Sequence, residues 1–235
     1  IGLPALSLAV PPGLPLIEDF ADTTLRDAAR TNVNWSTEEQ AVYLAWSQRR
    51  QLPRYREEAM TGEGGADTYS IALGDVDGDG DLDAVQGRVG DTNLLYLNDG
   101  GGGFSAGIAV GSETEATQAL VLGDVDRDGD LDLIVGNGQG VGGINRLYVN
   151  DGSGGFPGTG TPISGDVDYT SSLALGDVDG DGDLDLVAGI GEIGGGQGGL
   201  NKLYLNNGSG GFSATGVAIG SETDATPSVA LGDVD

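Results

Sequence analysis

The sequence predicts an all-β chain: a β-propeller-like array of four-stranded blades, each carrying an acidic loop, preceded by a small N-terminal region with an extended apolar arm. Three observations lead there. An acidic segment repeats, as LGDVDGDGDLDAV at 73–85, LGDVDRDGDLDLI at 122–134 and LGDVDGDGDLDLV at 175–187, with a shorter LGDVD from Leu231. Each full copy is followed in fixed order by an apolar-aromatic run (LLYLNDG, RLYVNDG or KLYLNNG), a Gly-rich turn and a phenylalanine, Phe104, Phe156 or Phe212. The composition, 45 glycines and 37 acidic against 10 basic residues, sets the chain apart from an ordinary mixed globular enzyme.

Within one unit the runs read as strands, because apolar and polar residues alternate between turn residues. SIALGDVD and LDLVAG flank the acidic loop, KLYLNN follows, and FSATGVAI comes after the NGSGG hairpin turn; four short strands make one propeller blade. Tyrosine to phenylalanine is 8 residues in every copy and phenylalanine to the next first Asp is 20 or 21, whereas first Asp to tyrosine grows through 21, 24 and 27. The added residues therefore fall between the second and third strands, at 87–93, 136–145 and 189–201. Insertions in repeat architectures gather on one face, often the binding face. The resulting boundaries are an arm at 1–17, an N-terminal region at 18–67, repeats at 68–117, 118–170 and 171–226, and the start of a truncated fourth repeat at 227–235.

The acidic loop carries the chemistry. Asp75, Asp77, Asp79 and Asp83 stand at positions 1, 3, 5 and 9 and can converge on one ion where Gly80, at position 6, lets the backbone turn sharply; Asp81 at position 7 then offers its carbonyl. The set recurs as Asp124, Asp126, Asp128, Asp130 and Asp132, and as Asp177, Asp179, Asp181, Asp183 and Asp185; Asp233 and Asp235 begin a fourth. Hard oxygen donors in this number suit calcium, with about six to eight ligands, better than the smaller and more heavily hydrated magnesium. Five carboxylates within nine residues would repel one another in a fold without a cation. The loops thus predict three complete calcium sites and one truncated one, the ions bracing units that bury little apolar area. Arg127, at the non-ligating position 4, is expected to point to solvent. An EF-hand is excluded: Gln86, Val135 and Ala188 stand where its bidentate acid belongs, and strands rather than helices flank the loop.

GDVDGDGDLDLV followed by LYLNNGSGGF resembles the FG-GAP/VCBS repeat, similar to the calcium-binding blades of integrin α-chain propellers and of many bacterial secreted proteins. The resemblance covers about residues 68–235. It implies calcium-bearing β-propeller blades and an extracellular or cell-surface setting, where millimolar calcium fills loops of modest affinity. It implies no reaction. Integrin-like propellers have seven blades, whereas this chain shows three and the start of a fourth. EDFADTTLRDAARTNVNW resembles, over a short stretch, the segment that precedes bacterial VCBS arrays.

Charge and composition exclude much else. The net charge of −27 is uneven, about −2 over residues 1–60 and −25 over 61–235, which makes nucleic acid and anionic lipid poor partners. With no Cys and no His, disulfides, thiolate or imidazole metal sites and Ser-His-Asp or Cys-His nucleophiles are absent. A carboxylate-pair hydrolase would have to draw on Glu113, Glu115, Glu192 or Glu222. Ile1–Ile17 is apolar but holds four prolines, which excludes a transmembrane helix and reads as an extended arm, packed on its own domain or donated to a neighbour. Ser36-Thr-Glu-Glu39 ahead of AVYLAWSQRRQ favours a short helix over a strand. Trp35, Trp46, Tyr96, Tyr148 and Tyr204 read as core side chains rather than a sugar platform. The chain stops at Asp235 inside a motif and reads as part of a longer product.

Fewer than four blades do not ordinarily close a ring, and open strand edges need cover. The leading functional expectation is a non-enzymatic, calcium-stabilised structural protein of the cell surface that self-associates, as far as a filament, through its arm and open edges. The alternatives are an adhesion module that binds a glycan or protein on the variable-loop face and, last, a polysaccharide-acting enzyme or its accessory domain.

Overall fold

The computed structural model describes residues 66–138, 142–156, 158–192 and 198–232, together with the backbone of two short strands nearer the N-terminus. The arm at 1–17, Trp46, the side chain of Trp35 and the fourth-loop residues Asp233 and Asp235 lie outside the described residues. The chain divides into two units, Ile1–Arg54 and Tyr55–Asp235.

In the first unit, β1 (Asn32–Trp35) pairs antiparallel with β2 (Val42–Ala45), Trp35 opposite Val42. This corrects the helix expected after Ser36. Val42 and Tyr43 are β-branched and aromatic, which suits a pleated ladder, and a short apolar run carries too little periodicity to distinguish helix from strand.

The second unit is three four-stranded antiparallel sheets in chain order. The first holds β3 (Thr68–Gly74), β4 (Asp83–Arg88), β5 (Asn93–Tyr96) and β6 (Ile108–Val110). The second holds β7 (Thr117–Gly123), β8 (Asp132–Asn137), β9 (Arg146–Tyr148) and β10 (Thr161–Pro162). The third holds β11 (Thr170–Gly176), β12 (Asp185–Ile190), β13 (Asn201–Tyr204) and β14 (Val217–Ile219). The acidic loops join the first and second strands of each sheet, and the lengthening insertions join the second and third. Each first strand carries the same register shift near its start, at Thr68/Ser70, Thr117/Ala119 and Thr170/Ser172. These are propeller-type blades, and among the described residues they do not close into a ring.

The cores lie between blades. Val76, Val85, Leu95 and Val110 of the first pack with Leu133, Val135, Tyr148 and Phe156 of the second. Val125, Ile134, Leu147 and Ile163 of the second pack with Leu186, Ala188, Ile190 and Tyr204 of the third. All three repeat tyrosines, Tyr96, Tyr148 and Tyr204, are buried. Each buried aliphatic side chain contributes about 1.5–3 kcal/mol. The glycine of the LGD segment makes this stacking possible: a Cβ on Gly74 would meet Leu122 and Leu131 of the second blade at 2.9 and 2.8 Å. On the first blade, which no other blade precedes among the described residues, the same face is exposed. Leu73 and Leu82, counterparts of Leu122 and Leu131, are 60% and 57% exposed.

Candidate metal centres

Each acidic loop is a staircase of carboxylates that accept backbone N–H groups, so its shape follows from the spacing of Asp and Gly. The ninth-position aspartate opens the second strand and is buried in all three copies. Asp83 accepts from the N–H of Val76 at 2.9 Å and of Asn98 at 2.8 Å, which ties the loop's start to the end of the third strand. Asp132 does the same with Val125 and Asn150, and Asp185 with Val178 and Asn206. The first-position Asp75 and Asp124 accept at Oδ2 from Gly80 and Gly129 at 3.0 and 3.1 Å. Those glycines have φ of 94° and 99°, in the left-handed region that favours glycine.

The result is one carboxylate oxygen each from positions 1, 3 and 9 gathered within 4.8 Å: Asp75, Asp77 and Asp83; Asp124, Asp126 and Asp132; Asp177, Asp179 and Asp185. Each cluster could hold a metal ion. Two observations favour a cation, the first at the first two clusters and the second at all three. Oδ1 of Asp75 and of Asp124 is buried with no hydrogen-bond partner, which is costly for a charged oxygen unless a cation meets it. Desolvation, with repulsion from neighbouring carboxylates added, holds Asp77, Asp126 and Asp179 above the ordinary aspartate range. Burial likewise raises Asp132, despite the N–H groups it accepts.

The fifth- and seventh-position residues stand apart from these groups. Asp79, Asp128 and Asp181 each take the N–H two residues on. The carboxylates of Asp81, Asp130 and Asp183 lie beneath the hairpin glycines Gly100, Gly152 and Gly208, too close for any Cβ there. That placement leaves the backbone carbonyl as the seventh residue's donor toward the loop.

A family model described as the FG-GAP-like repeat matches residues 85–135 and 124–188. Residues 85–188 belong to the FG-GAP-like repeats. No curated protein matches the chain. One solved structure it resembles is an Agrocybe aegerita lectin described as recognising non-reducing terminal N-acetylglucosamine, at 22% identity and TM-score 0.46. The match covers 63% of this chain, which spans 37% of that one.

The acidic loops are also tied across blades, by asparagines that the sequence alone placed in the third-strand runs and by Arg127. Asn150 of the second blade donates its side-chain amide to the carbonyls of Val76, at 2.7 Å, and Leu131, and so clasps the first loop. Asn206 does the same to Val125, at 2.8 Å, and Leu184. Asn98, the counterpart in the first blade, bonds Leu82 of its own blade. Arg127 is exposed, as expected, and also lies against Asp183 of the third loop. The contact is one of charge, since Asp183 Oδ1 makes no aligned hydrogen bond. Arg127 has φ of 65°, where the other loops have Gly78 and Gly180.

A second recurring device seals the blade seams. Glu113 accepts from the Tyr148 hydroxyl at 3.0 Å and the Gly160 N–H at 3.1 Å, while Glu115 pairs with Arg146 at 2.7 Å. Asp166 accepts from Tyr204 and Gly216, and Asp168 pairs with Lys202 at 2.6 Å. Glu113 and Glu115, candidates for a hydrolytic pair, are thus engaged in a seam. The signal for this lock was present in the sequence as an acid pair four and two residues before Thr117 and Thr170 and a basic residue two before Tyr148 and Tyr204.

Proposed function

We propose that this FG-GAP-type propeller module is a non-enzymatic, calcium-braced scaffold that works outside the cell, where millimolar calcium keeps its loops filled. The observation that carries the reading is the unpartnered buried oxygen on Asp75 and on Asp124, each within a three-carboxylate cluster. Asp75, Asp77 and Asp83 and their counterparts would hold the ion, with the carbonyls of Asp81, Asp130 and Asp183 and the fifth-position carboxylates completing the shell. An ion there joins the first and second strands of each blade and, through the clasped Val76 and Val125 carbonyls, steadies the blade that follows. Native mass spectrometry in calcium should give one added ion per described loop, and Asp177→Ala should remove one. A protein that stays metal-free in millimolar calcium would end this reading.

The apolar side chains exposed on the outer faces of the first and third described blades, Leu73, Leu82 and Val178, support association as a working mode. Deleting residues 1–17 tests the part of the arm: assembly should fall while the blades stay folded. Binding of a glycan or protein on the loops at 87–93, 136–145 and 189–201 is the second reading, with their stepwise lengthening in its favour. A glycan array in calcium tests it.

A further inference from the structure

We propose that Asn207 is a self-modification site: the backbone nitrogen of Gly208 displaces its side-chain amide, and the third hairpin turn matures to the aspartate that the first two turns already carry. The argument rests on the turns alone and does not depend on calcium. The chain holds two Asn-Gly pairs, Asn137-Gly138 and Asn207-Gly208. In such a pair the nitrogen after the asparagine has no side chain beside it and can approach the amide carbon closely. The fold treats the two pairs oppositely.

Asn137 is 2% exposed. Its amide donates to Glu115 at 3.0 Å and to the Ile144 carbonyl at 2.9 Å, and the Gly138 N–H donates to the Ala116 carbonyl at 3.0 Å. Leaving group and nucleophile are both tied. Asn207 is exposed, and among the described residues neither its Nδ2 nor the Gly208 N–H donates a hydrogen bond. In the earlier turns Asn98 and Asn150 accept the Gly100 and Gly152 N–H groups at 3.2 and 3.1 Å, whereas Asn206 accepts the N–H of Asn207 instead, at 2.8 Å. The carbonyl side of the amide is held. Asn207 Oδ1 accepts from the Ser209 N–H at 3.1 Å, the Ser209 hydroxyl at 2.9 Å and the Gly211 N–H at 3.1 Å. Donors on that oxygen stabilise the negative charge it gains when the carbon is attacked. A following blade does not bury this position, since Asp151 is exposed in the second turn, whose blade packs on both neighbours.

In the step, the Gly208 nitrogen loses its proton and bonds to Cγ of Asn207, the Cγ–Nδ2 bond breaks, and ammonia leaves with that proton. The five-membered imide then takes up one water. Opening at Cγ restores the main chain and leaves aspartate at 207; opening at the backbone carbonyl leaves an isoaspartyl link. The turn favours the first product. Asp99 Oδ1 accepts from Gly101 and Gly103, and Asp151 Oδ1 from Ser153 and Gly155, as Asn207 Oδ1 accepts from Ser209 and Gly211. The Ser153 hydroxyl and the N–H groups hold Asp151 below the ordinary aspartate range, so these donors prefer the charged product. An isoaspartyl link would lengthen the main chain inside the turn that the Asn207 N–H closes on the Gly211 carbonyl at 3.1 Å.

The test holds the full chain in mildly alkaline buffer, digests it at intervals and follows both asparagines by mass spectrometry. In the folded protein Asn207 should lose its amide about tenfold faster than Asn137 or more, and in denaturant the two should keep pace. Aspartate should exceed isoaspartate at 207. Ser209→Ala, which removes one donor to Oδ1, should slow the loss by about threefold or more. Asn207→Asp, the product made directly, should melt no lower than the parent. The proposal is overturned if Asn137 keeps pace in the folded chain, if Asn207 keeps its amide while the denatured chain loses it, or if isoaspartate dominates. It is equally overturned if folded Ser209→Ala converts as fast as the parent, or if Asn207→Asp melts lower.

Discussion

The first two acidic loops and the third share almost every residue yet differ in shape, and the cause is the neighbour, not the loop. LGDVDGDGDLD is identical at 73–83 and 175–185. In the first loop Val76 is buried, its carbonyl is held by Asn150, and Asp75 keeps a buried oxygen unpartnered. In the third, Val178 is exposed and Asp177 turns both oxygens inward to the N–H groups of Gly180, at 2.7 Å, and Gly182, at 2.9 Å. The second loop, covered by Asn206 and by the Gly210 N–H on Val125, follows the first. A covering blade therefore leaves the first aspartate poised for a cation, whereas an uncovered loop satisfies that carboxylate with its own backbone. The candidate cation sites therefore depend on pairs of blades rather than on single repeats.

The largest effect expected from this difference is on removing calcium. A site occupied at 100 times its Kd contributes about 2.7 kcal/mol, so chelation should lower the melting temperature by about 10 °C or more. The loss should come mainly from the first two loops: Asp75→Ala should cost more than Asp177→Ala in calcium, and the two should differ far less in chelator. Equal costs in calcium would break the contrast.

A smaller effect isolates the clasp. Asn150→Ala leaves the buried Val76 carbonyl without its side-chain donor and should cost about 1–3 kcal/mol in denaturant unfolding. Asn98→Ala, which removes a bond within one blade at an exposed site, should cost less than about 1 kcal/mol. A cost at Asn98 as large as at Asn150 would show that the residue serves its own turn rather than the neighbouring loop.

The smallest effect lies in the acid limb. Burial pushes Glu113 up, but the Ser112 N–H, the Tyr148 hydroxyl and the charge of Arg146 outweigh it and hold it below the ordinary glutamate value of 4.5. Asp166 is held below 3.8, first by the Gly216 N–H and then by Tyr204 and Lys202. A carboxylate depressed in the folded state contributes stability that is present above its unfolded pKa and lost as pH falls through its folded one. The seams should hold at neutral pH and loosen below about pH 4.5, and Glu113→Gln should remove its share of that acid limb in a melting-temperature profile.

Much of this was legible in the sequence because it is local. The acidic loop, the strand order and the burial of Tyr96, Tyr148 and Tyr204 follow from the spacing of Asp and Gly and from alternation, which act within a few residues. The clasp was not, because Asn150 and Asn206 reach back 74 and 81 residues, and an Asn at the end of an apolar-aromatic run reads as the tail of a strand. Arg127 is exposed as expected, but its contact with Asp183 was not legible for the same reason, its partner lying in another loop. The run at 42–45 was misread because Val-Tyr-Leu-Ala is too short to show a period, and pairing with β1 decided it. Glu113 and Glu115 looked like candidate acids until the chain placed Tyr148 and Arg146 over them.

The measurement that bears most directly on the central claim is a calcium titration by isothermal calorimetry of the parent protein beside Asp75→Ala, Asp124→Ala and Asp177→Ala. The account expects a tighter class of two sites, each lost with Asp75 or Asp124, and a weaker site lost with Asp177. No binding in millimolar calcium, or a single class that each substitution diminishes equally, would contradict it.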